Sequence, residues 1–115
     1  PLNRRHSIVA SLTDHNGRTA LIWAVIWGDW NFVGTLLDVP GTDVNRSCKD
    51  GRTALMVAAS EGSYTVIGKL MAHPKCRVDD CDANGWPAVA FAARNNHGSC
   101  VNKLLGDTPT EAALR

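Results

Sequence analysis

The residues best suited to hold a metal ion are one histidine and two cysteines that lie close together in the sequence. His73, Cys76 and Cys81 have the spacing H-x2-C-x4-C, and Cys48 is expected on the neighbouring loop. Structural zinc needs four ligands at tight spacing, and Cys76 and Cys81 are too far apart to form a strong motif. We therefore predict that the chain binds no metal ion and needs no cofactor.

A thiol nucleophile is the second candidate for chemistry. Cys100 follows His97 by three residues, and a neighbouring histidine can activate a cysteine. Cys100 nevertheless takes an apolar position of a predicted helix, where a thiol is buried and inert. The sequence contains no paired-carboxylate site, no phosphate-binding loop and no G-x-S-x-G elbow. We predict that the chain is not an enzyme.

Charge and hydropathy narrow the class of partner. The formal net charge is +1, which favours neither nucleic acid nor an anionic membrane surface. No apolar run reaches the roughly 18 residues that a membrane span requires. The four cysteines lie among apolar or loop residues and do not form the pattern of a disulfide framework. This predicts free thiols and a cytoplasmic or nuclear location. A protein or peptide is therefore the expected partner.

The elements that position these residues repeat every 34 residues. Gly17, Gly51 and Gly85 have this spacing, and Asn-Gly-Arg-Thr-Ala-Leu at 16–21 recurs as Asp-Gly-Arg-Thr-Ala-Leu at 50–55. A period in this range predicts a stack of units, in which each unit buries its apolar face only against its neighbours. Such a stack offers an extended binding surface and usually has no catalytic pocket.

Each unit is predicted to contain two short helices and an extended segment. In the first unit a turn ends at Gly17, and Thr19 caps a helix that stops at Gly28. A second helix runs to Leu37, and residues 42–45 are expected to be extended. The positions expected in the apolar core are Leu21, Ala24, Val25, Phe32, Val33, Leu36, Leu37, Leu55, Ala58, Ala59, Val66, Ile67, Leu70, Val89, Ala92, Ala93, Val101, Leu104 and Leu105.

The repeated pattern resembles that of the ankyrin repeat family. The matching features are the turn glycine, the Thr-Ala-Leu start of the first helix, its alanine face and the Asp-Val-Asn segment at 43–45. The resemblance implies an all-α ankyrin-repeat solenoid, in which helix-turn-helix units with β-hairpin fingers stack as about three repeats plus terminal caps. The predicted boundaries are 1–13 for an N-terminal cap or the tail of a preceding repeat, 14–47, 48–81 and the short 82–107 for the repeats, and 108–115 for a C-terminal capping helix.

The chain departs from the family pattern at the ends of its first helices. The usual proline after the capping threonine is Ala20 and Ala54. In the third unit Pro87 replaces the threonine itself, which predicts the loss of a hydroxyl cap. Asn96 stands there in place of the glycine that stops the helix, and asparagine tolerates the left-handed conformation better than most residues.

The resemblance implies that a partner binds the concave surface, which the fingers and the first helix of each unit form. Tryptophan offers a large rigid contact area, and arginine donates forked hydrogen bonds to carboxylates. Both are typical of binding hot spots, so we expect a protein or peptide partner with acidic and apolar anchors. The predicted contact residues are Arg18, Trp27, Lys49, Arg52, Glu61, Trp86 and Arg94.

Two other functions are open at this point. Trp23 and Trp27 are four residues apart and share one helix face. Together with Trp30 and Glu61 they form a candidate aromatic cage for a methylated lysine in a histone-like tail. The Ile-Trp-Ala stretch at 22–24 is similar to one in a few ankyrin domains that read such tails. Alternatively, the chain is a structural spacer or an oligomerisation element whose tryptophans pack against another copy.

The context of the domain gives two further expectations. We expect a monomeric module that belongs to a larger intracellular protein. Arg4 and Arg5 precede Ser7 in the order that basophilic kinases prefer, which makes Ser7 a candidate phosphorylation site. A phosphate there would add about two negative charges beside the arginines.

Overall fold

The computed structural model describes residues 12–106, which form six helices in two layers. The helices are α1 (Ala20–Trp27), α2 (Trp30–Leu37), α3 (Ala54–Glu61), α4 (Tyr64–Met71), α5 (Ala88–Arg94) and α6 (Gly98–Leu104). α1, α3 and α5 pack side by side in one layer, and α2, α4 and α6 do so in the other. The helix starts recur every 34 residues in both layers, which confirms the predicted stack of two-helix units.

The first helices begin at the residues that the sequence predicts. The hydroxyl of Thr19 accepts a hydrogen bond from the backbone N–H of Ile22 at 3.2 Å. Thr53 does the same for Met56 at 3.4 Å. Pro87 stands at the equivalent place before α5 and provides no side-chain cap, so the third unit starts without a bond that is typically worth about 1 kcal/mol.

The first helices also end as predicted. The caps of α1 and α3 are Gly28 and Gly62, both in the left-handed conformation. After α5 the residue in the left-handed conformation is Asn96, which has a φ of 66°. Asparagine is one of the residues that adopt it at modest cost, which confirms the interpretation of Asn96 as a replacement for the helix-stopping glycine.

The core lies between the two layers and between successive units. Ala24, Ala58 and Ala92 have no exposed surface, because their methyl groups let neighbouring first helices approach closely. Two predicted core positions are wrong: Ala93 is exposed, and Leu105 is 48% exposed. The residues equivalent to Ala93 in the earlier units are buried against the next unit, and within residues 12–106 no unit follows the third.

The fingers differ from the predicted β-hairpins. Within residues 12–106 the backbone pairs only as isolated bridges, Thr13 with Thr19 and Cys81 with Pro87. Residues 44–45 form a turn rather than an extended segment. Successive turns also bond sideways to one another: the N–H of Lys49 donates to the carbonyl of Asn16 at 2.9 Å, and that of Ala83 donates to the carbonyl of Asp50 at 3.0 Å.

In the layer of second helices, lysine side chains lie over aromatic rings of the preceding unit. The ammonium of Lys69 lies 5.4 Å from the centre of the Trp30 ring in the preceding unit. Lys103 repeats this contact over Tyr64 at 5.7 Å. A Cβ at Gly34 would lie 3.6 Å from the ammonium of Lys69, which is an ordinary van der Waals contact.

Several sequence predictions lie outside the described residues. These are the capping helix at 108–115, the phosphorylation site Ser7 and all but the last two residues of segment 1–13. The boundaries of the three repeats remain predictions. None of the helices between residues 12 and 106 is long and apolar enough to cross a membrane.

Candidate partner-binding surface

The candidate surface is the first-helix face, which we define as the exposed side of α1, α3 and α5 with the turn before each helix. Asp14 shapes the first of these turns, because its carboxylate accepts the backbone N–H groups of Asn16 and Arg18, both at 2.9 Å. The bond from Arg18 is the main cause that lowers the pKa of Asp14. These bonds orient the chain at the positions where a partner would make contact.

The third turn is built in the same way, and the second is not. Asp82 accepts the N–H groups of Asn84 at 2.9 Å and Trp86 at 2.8 Å. The equivalent residue of the second unit is Cys48. That turn is closed by the backbone alone, since the N–H of Cys48 donates to Arg52 at 3.0 Å. Alignment of the three units shows that a cysteine replaces the aspartate in the second turn. Only the structure shows that two side-chain hydrogen bonds are lost with it.

A groove of about 210 Å³ opens on the first-helix face between the first two units. Burial in this groove raises the pKa of the Glu61 carboxyl. An apolar floor with a polar rim is the usual composition of a binding site for an apolar side chain. The floor consists of Ile22, Ile26, Met56, Val57 and Phe91, and the rim of Arg18, Cys48, Asp50, Arg52, Ser60 and Glu61.

Beside this groove lies a cluster that we call the Arg52–Phe91–Trp86–Arg94 stack. The guanidinium of Arg52 is 5.2 Å from the centre of the Phe91 ring. Phe91 contacts Trp86 with ring centres 5.7 Å apart. The guanidinium of Arg94 lies 5.4 Å from the Trp86 ring. Two aromatic rings therefore stand between two cations, and each cation–π contact restrains an otherwise mobile arginine.

A second arginine–aromatic cluster borders the groove on the side of the first unit. The indole N–H of Trp23 donates to Asp14 at 3.0 Å, and Arg18 lies 5.2 Å from the Trp23 ring. Trp27 packs on Trp23 with ring centres 5.4 Å apart and remains 66% exposed. Trp27 thus presents an exposed apolar ring on the first-helix face.

The arginines of the first-helix face differ in their ion pairing. Arg18 lies 3.9 Å from the carboxylate of Asp14. Across residues 12–106 the one other ion pair joins Arg77 to Asp80, away from the groove. Arg52 and Arg94 therefore have no carboxylate partner within this part of the chain, and both residues are exposed.

The structure brings together some predicted contact residues and separates others. Arg52, Trp86 and Arg94 lie in one stack, while Trp27 belongs to the cluster of Arg18 and Trp23. Lys49 is exposed on the second turn, and Glu61 lines the groove. The sequence analysis missed Phe91, although the equivalent residue of the first unit is the aromatic Trp23 and Phe91 is flanked by small residues.

The four residues of the candidate aromatic cage do not share one contact cluster. Trp23 and Trp27 stack with their rings tilted by 32°, and one ring of this pair carries Arg18. Trp30 contacts Lys69 in the second-helix layer, and Glu61 borders the groove. The proximity of Trp23 and Trp27 agrees with their helical spacing, whereas the cage itself stays a prediction.

The cysteine and histidine candidates occupy ordinary structural positions. In the described part of the chain no three histidine, cysteine or acidic side chains are close enough to hold a metal ion, and the four cysteines are free. Burial raises the pKa of the Cys100 thiol. Burial, followed by the negative charge of Asp80, raises the pKa of Cys76. Both thiols are thereby disfavoured as thiolates, the form that attacks or binds a metal.

Stacked two-helix units with a short turn before each unit define an all-α repeat protein, a class built for extended contact with other molecules. The family model described as ankyrin repeats, three copies, matches residues 31–112. The chain therefore belongs to the ankyrin repeat family, whose repeats form protein–protein interaction modules. A search of curated proteins found no match.

Proposed function

We propose that this domain binds a peptide or protein partner on its first-helix face, which is the concave surface of the family. The observation that carries the proposal is the groove between the first two units, with an arginine–aromatic cluster on each side. A groove of this volume accepts one apolar side chain, and the clusters provide hydrogen-bond donors and rigid aromatic surface beside it.

We expect a few side chains to contribute most of the binding free energy. Hot-spot residues cost about 2 kcal/mol or more when truncated to alanine, and tryptophan and arginine are enriched among them. Trp27 and Trp86 are exposed on this face, and Arg52 and Arg94 carry charges without a partner in the described chain. Loss of two such anchors is expected to lower the affinity by about a hundredfold or more.

The domain is proposed to act as a monomer within a larger protein of the cytoplasm or nucleus. Free cysteines support this location, since thiols persist in reducing compartments. The partner is proposed to be a protein rather than nucleic acid, because a net charge of +1 gives little attraction to a phosphate backbone.

The test is an affinity purification from cell lysate followed by mass spectrometry. The bait is the 115-residue chain, either unchanged or carrying Arg52→Ala and Trp86→Ala. Arg46→Ala is the matched control, because Arg46 is exposed on a loop outside the groove. Circular dichroism confirms that each bait is folded. Partners that bind the chain and the control but not the double variant support the proposed face.

Two results would contradict the proposal. An unchanged partner list for the double variant would mean that the partner binds another surface. An empty list for all three baits, together with a mass that rises with concentration, would favour the oligomerisation element. Exposed Trp27 and Trp30 are the observation on which that alternative depends. The methyl-lysine reader has its support in the Trp23–Trp27 contact, and tighter binding of methylated than of unmodified peptides would favour it.

A further inference from the structure

We propose that the Arg52–Phe91–Trp86–Arg94 stack recognises two acidic side chains of one partner peptide, with an apolar residue between them. This inference rests on the proposed function and specifies the chemistry of the ligand. According to this proposal, each of the two arginines binds one carboxylate of the peptide, and the stack is specific for acidic side chains.

The first step of the argument is the availability of the two guanidinium groups. Arg18 and Arg77 have carboxylate partners in Asp14 and Asp80, whereas Arg52 and Arg94 have none among residues 12–106. An arginine that lies over an aromatic ring keeps its five N–H donors at the edge of the planar group. Restraint by the ring also lowers the conformational entropy that the side chain loses when it binds.

The second step is the distance that the ligand must span. The successive contacts of the stack are 5.2, 5.7 and 5.4 Å long, so the two guanidinium groups are at most about 16 Å apart. An extended peptide advances about 3.3 Å per residue. The two acidic residues are therefore no more than about five positions apart along the partner.

The third step is the surface between the two cations. Phe91 is buried within the stack, whereas Trp86 remains 36% exposed. The exposed ring offers an apolar contact to the residue between the acidic side chains. Asp50 and Glu61 on the adjoining groove repel a long polyanion, so the arrangement favours a short acidic peptide over a nucleic acid.

The experiment measures binding of fluorescein-labelled peptides to the 115-residue chain by fluorescence anisotropy. Each probe carries two glutamates around a central leucine in a glycine–serine background, with one to seven intervening residues. The matched probes replace both glutamates with glutamine or with phosphoserine. Arg52→Ala, Arg94→Ala and the control Arg46→Ala are tested on the same probes, after circular dichroism has shown that each is folded.

We expect the glutamate probes to bind best at four or fewer intervening residues and the glutamine probes to bind at least about tenfold more weakly, as the loss of a hydrogen bond to a charged group predicts. Arg52→Ala and Arg94→Ala should each weaken the glutamate probe by about tenfold, and Arg46→Ala should leave it unchanged. Arg52→Lys keeps the charge but lacks the planar fork, and we expect it to bind more weakly than the unchanged chain.

Several outcomes would overturn the inference. Equal binding of glutamate and glutamine probes would show that carboxylates are not read. Binding of the phosphoserine probes alone would assign the stack to phosphate. If the lysate partners depend on Arg52 and Trp86 while no glutamate probe binds, the proposed function stands and this inference fails. If neither assay responds to the substitutions, both fail.

Discussion

The three turn glycines offer a direct test of how the repeats pack. Gly17, Gly51 and Gly85 occupy the same place in successive units, with φ of 78°, 79° and 84°. Alanine in this left-handed conformation costs about 1 kcal/mol at each site. Alanine also stabilises each variant slightly by restricting the unfolded chain. Both effects are the same at the three positions, so any difference among the variants comes from their surroundings.

The surroundings differ because each turn contacts the next unit. A Cβ on Gly51 would lie 2.6 Å from the backbone nitrogen of Ala83, and one on Gly17 would lie 3.2 Å from that of Lys49. A Cβ on Gly85 would meet no atom of residues 12–106 within 4 Å. The contact at Gly51 forces the next turn to move and strains its hydrogen bond to Asp50, which adds about 2 kcal/mol.

We therefore expect the destabilisation to follow the order Gly51→Ala, Gly17→Ala, Gly85→Ala, at about 3, 2 and 1 kcal/mol. Urea unfolding followed by circular dichroism measures this order. A difference of about 2 kcal/mol between the extremes shifts the midpoint by about 1 M. Gly85→Ala is the matched control, since it carries the conformational cost without the clash. The reasoning is refuted if Gly85→Ala is as harmful as Gly51→Ala.

Three further predictions concern the turns and the thiols. Cys48→Asp should stabilise the domain by about 1 kcal/mol at pH 7. The new carboxylate can accept two backbone N–H groups of its own turn, as Asp14 and Asp82 do in theirs. Thermal unfolding measures the gain in stability, and no gain would show that the backbone bonds already satisfy this turn. The native state holds the pKa of Asp14 below its ordinary value, so its contribution is full above the unfolded pKa of about 3.9 and is lost as the pH falls through the folded pKa. Asp14→Asn should therefore lower stability at pH 7 and make little difference at pH 2, and an equal effect at both values would contradict the role of the charge. Iodoacetamide at pH 8 should modify exposed Cys81 in the folded chain and should modify buried Cys100 only after urea unfolds the chain. Burial shields the Cys100 thiol from the reagent and raises its pKa. Peptide mass spectrometry measures the modification of both residues, and modification of Cys100 in the folded chain would disprove its burial.

Features that depend on bonds within one unit were predictable from the sequence. Thr19 and Thr53 cap their helices through an N–H only three residues away. Asn96 takes the left-handed conformation because of its own side chain and backbone. The 34-residue period predicted the stack, and the repeated motifs predicted the family, because each unit carries a full set of local signals and the apolar positions recur with them.

Features that depend on contact between units were not predictable in the same way. The second and third turns each donate a backbone N–H to the turn of the preceding unit, and these bonds exist only because the units pack side by side. Ala93 looks like its buried equivalents in sequence, but its burial depends on whether another unit follows. The sequence placed Arg52, Trp86 and Arg94 on one face as separate anchors, and Phe91 joins two of them into a stack.

The amino-acid sequence by itself determined the repeated unit, its caps and the kinds of side chain on its binding face, since these are set by neighbours along the chain. Tertiary structure alone decided that the Arg52 guanidinium lies over the Phe91 ring of the next unit. It also decided that Gly51 and Gly17 have a backbone nitrogen of the next unit behind them, at 2.6 and 3.2 Å from an added Cβ, and that Gly85 has none among the described residues. Both depend on residues about one repeat away, whose distances are fixed only when the units pack.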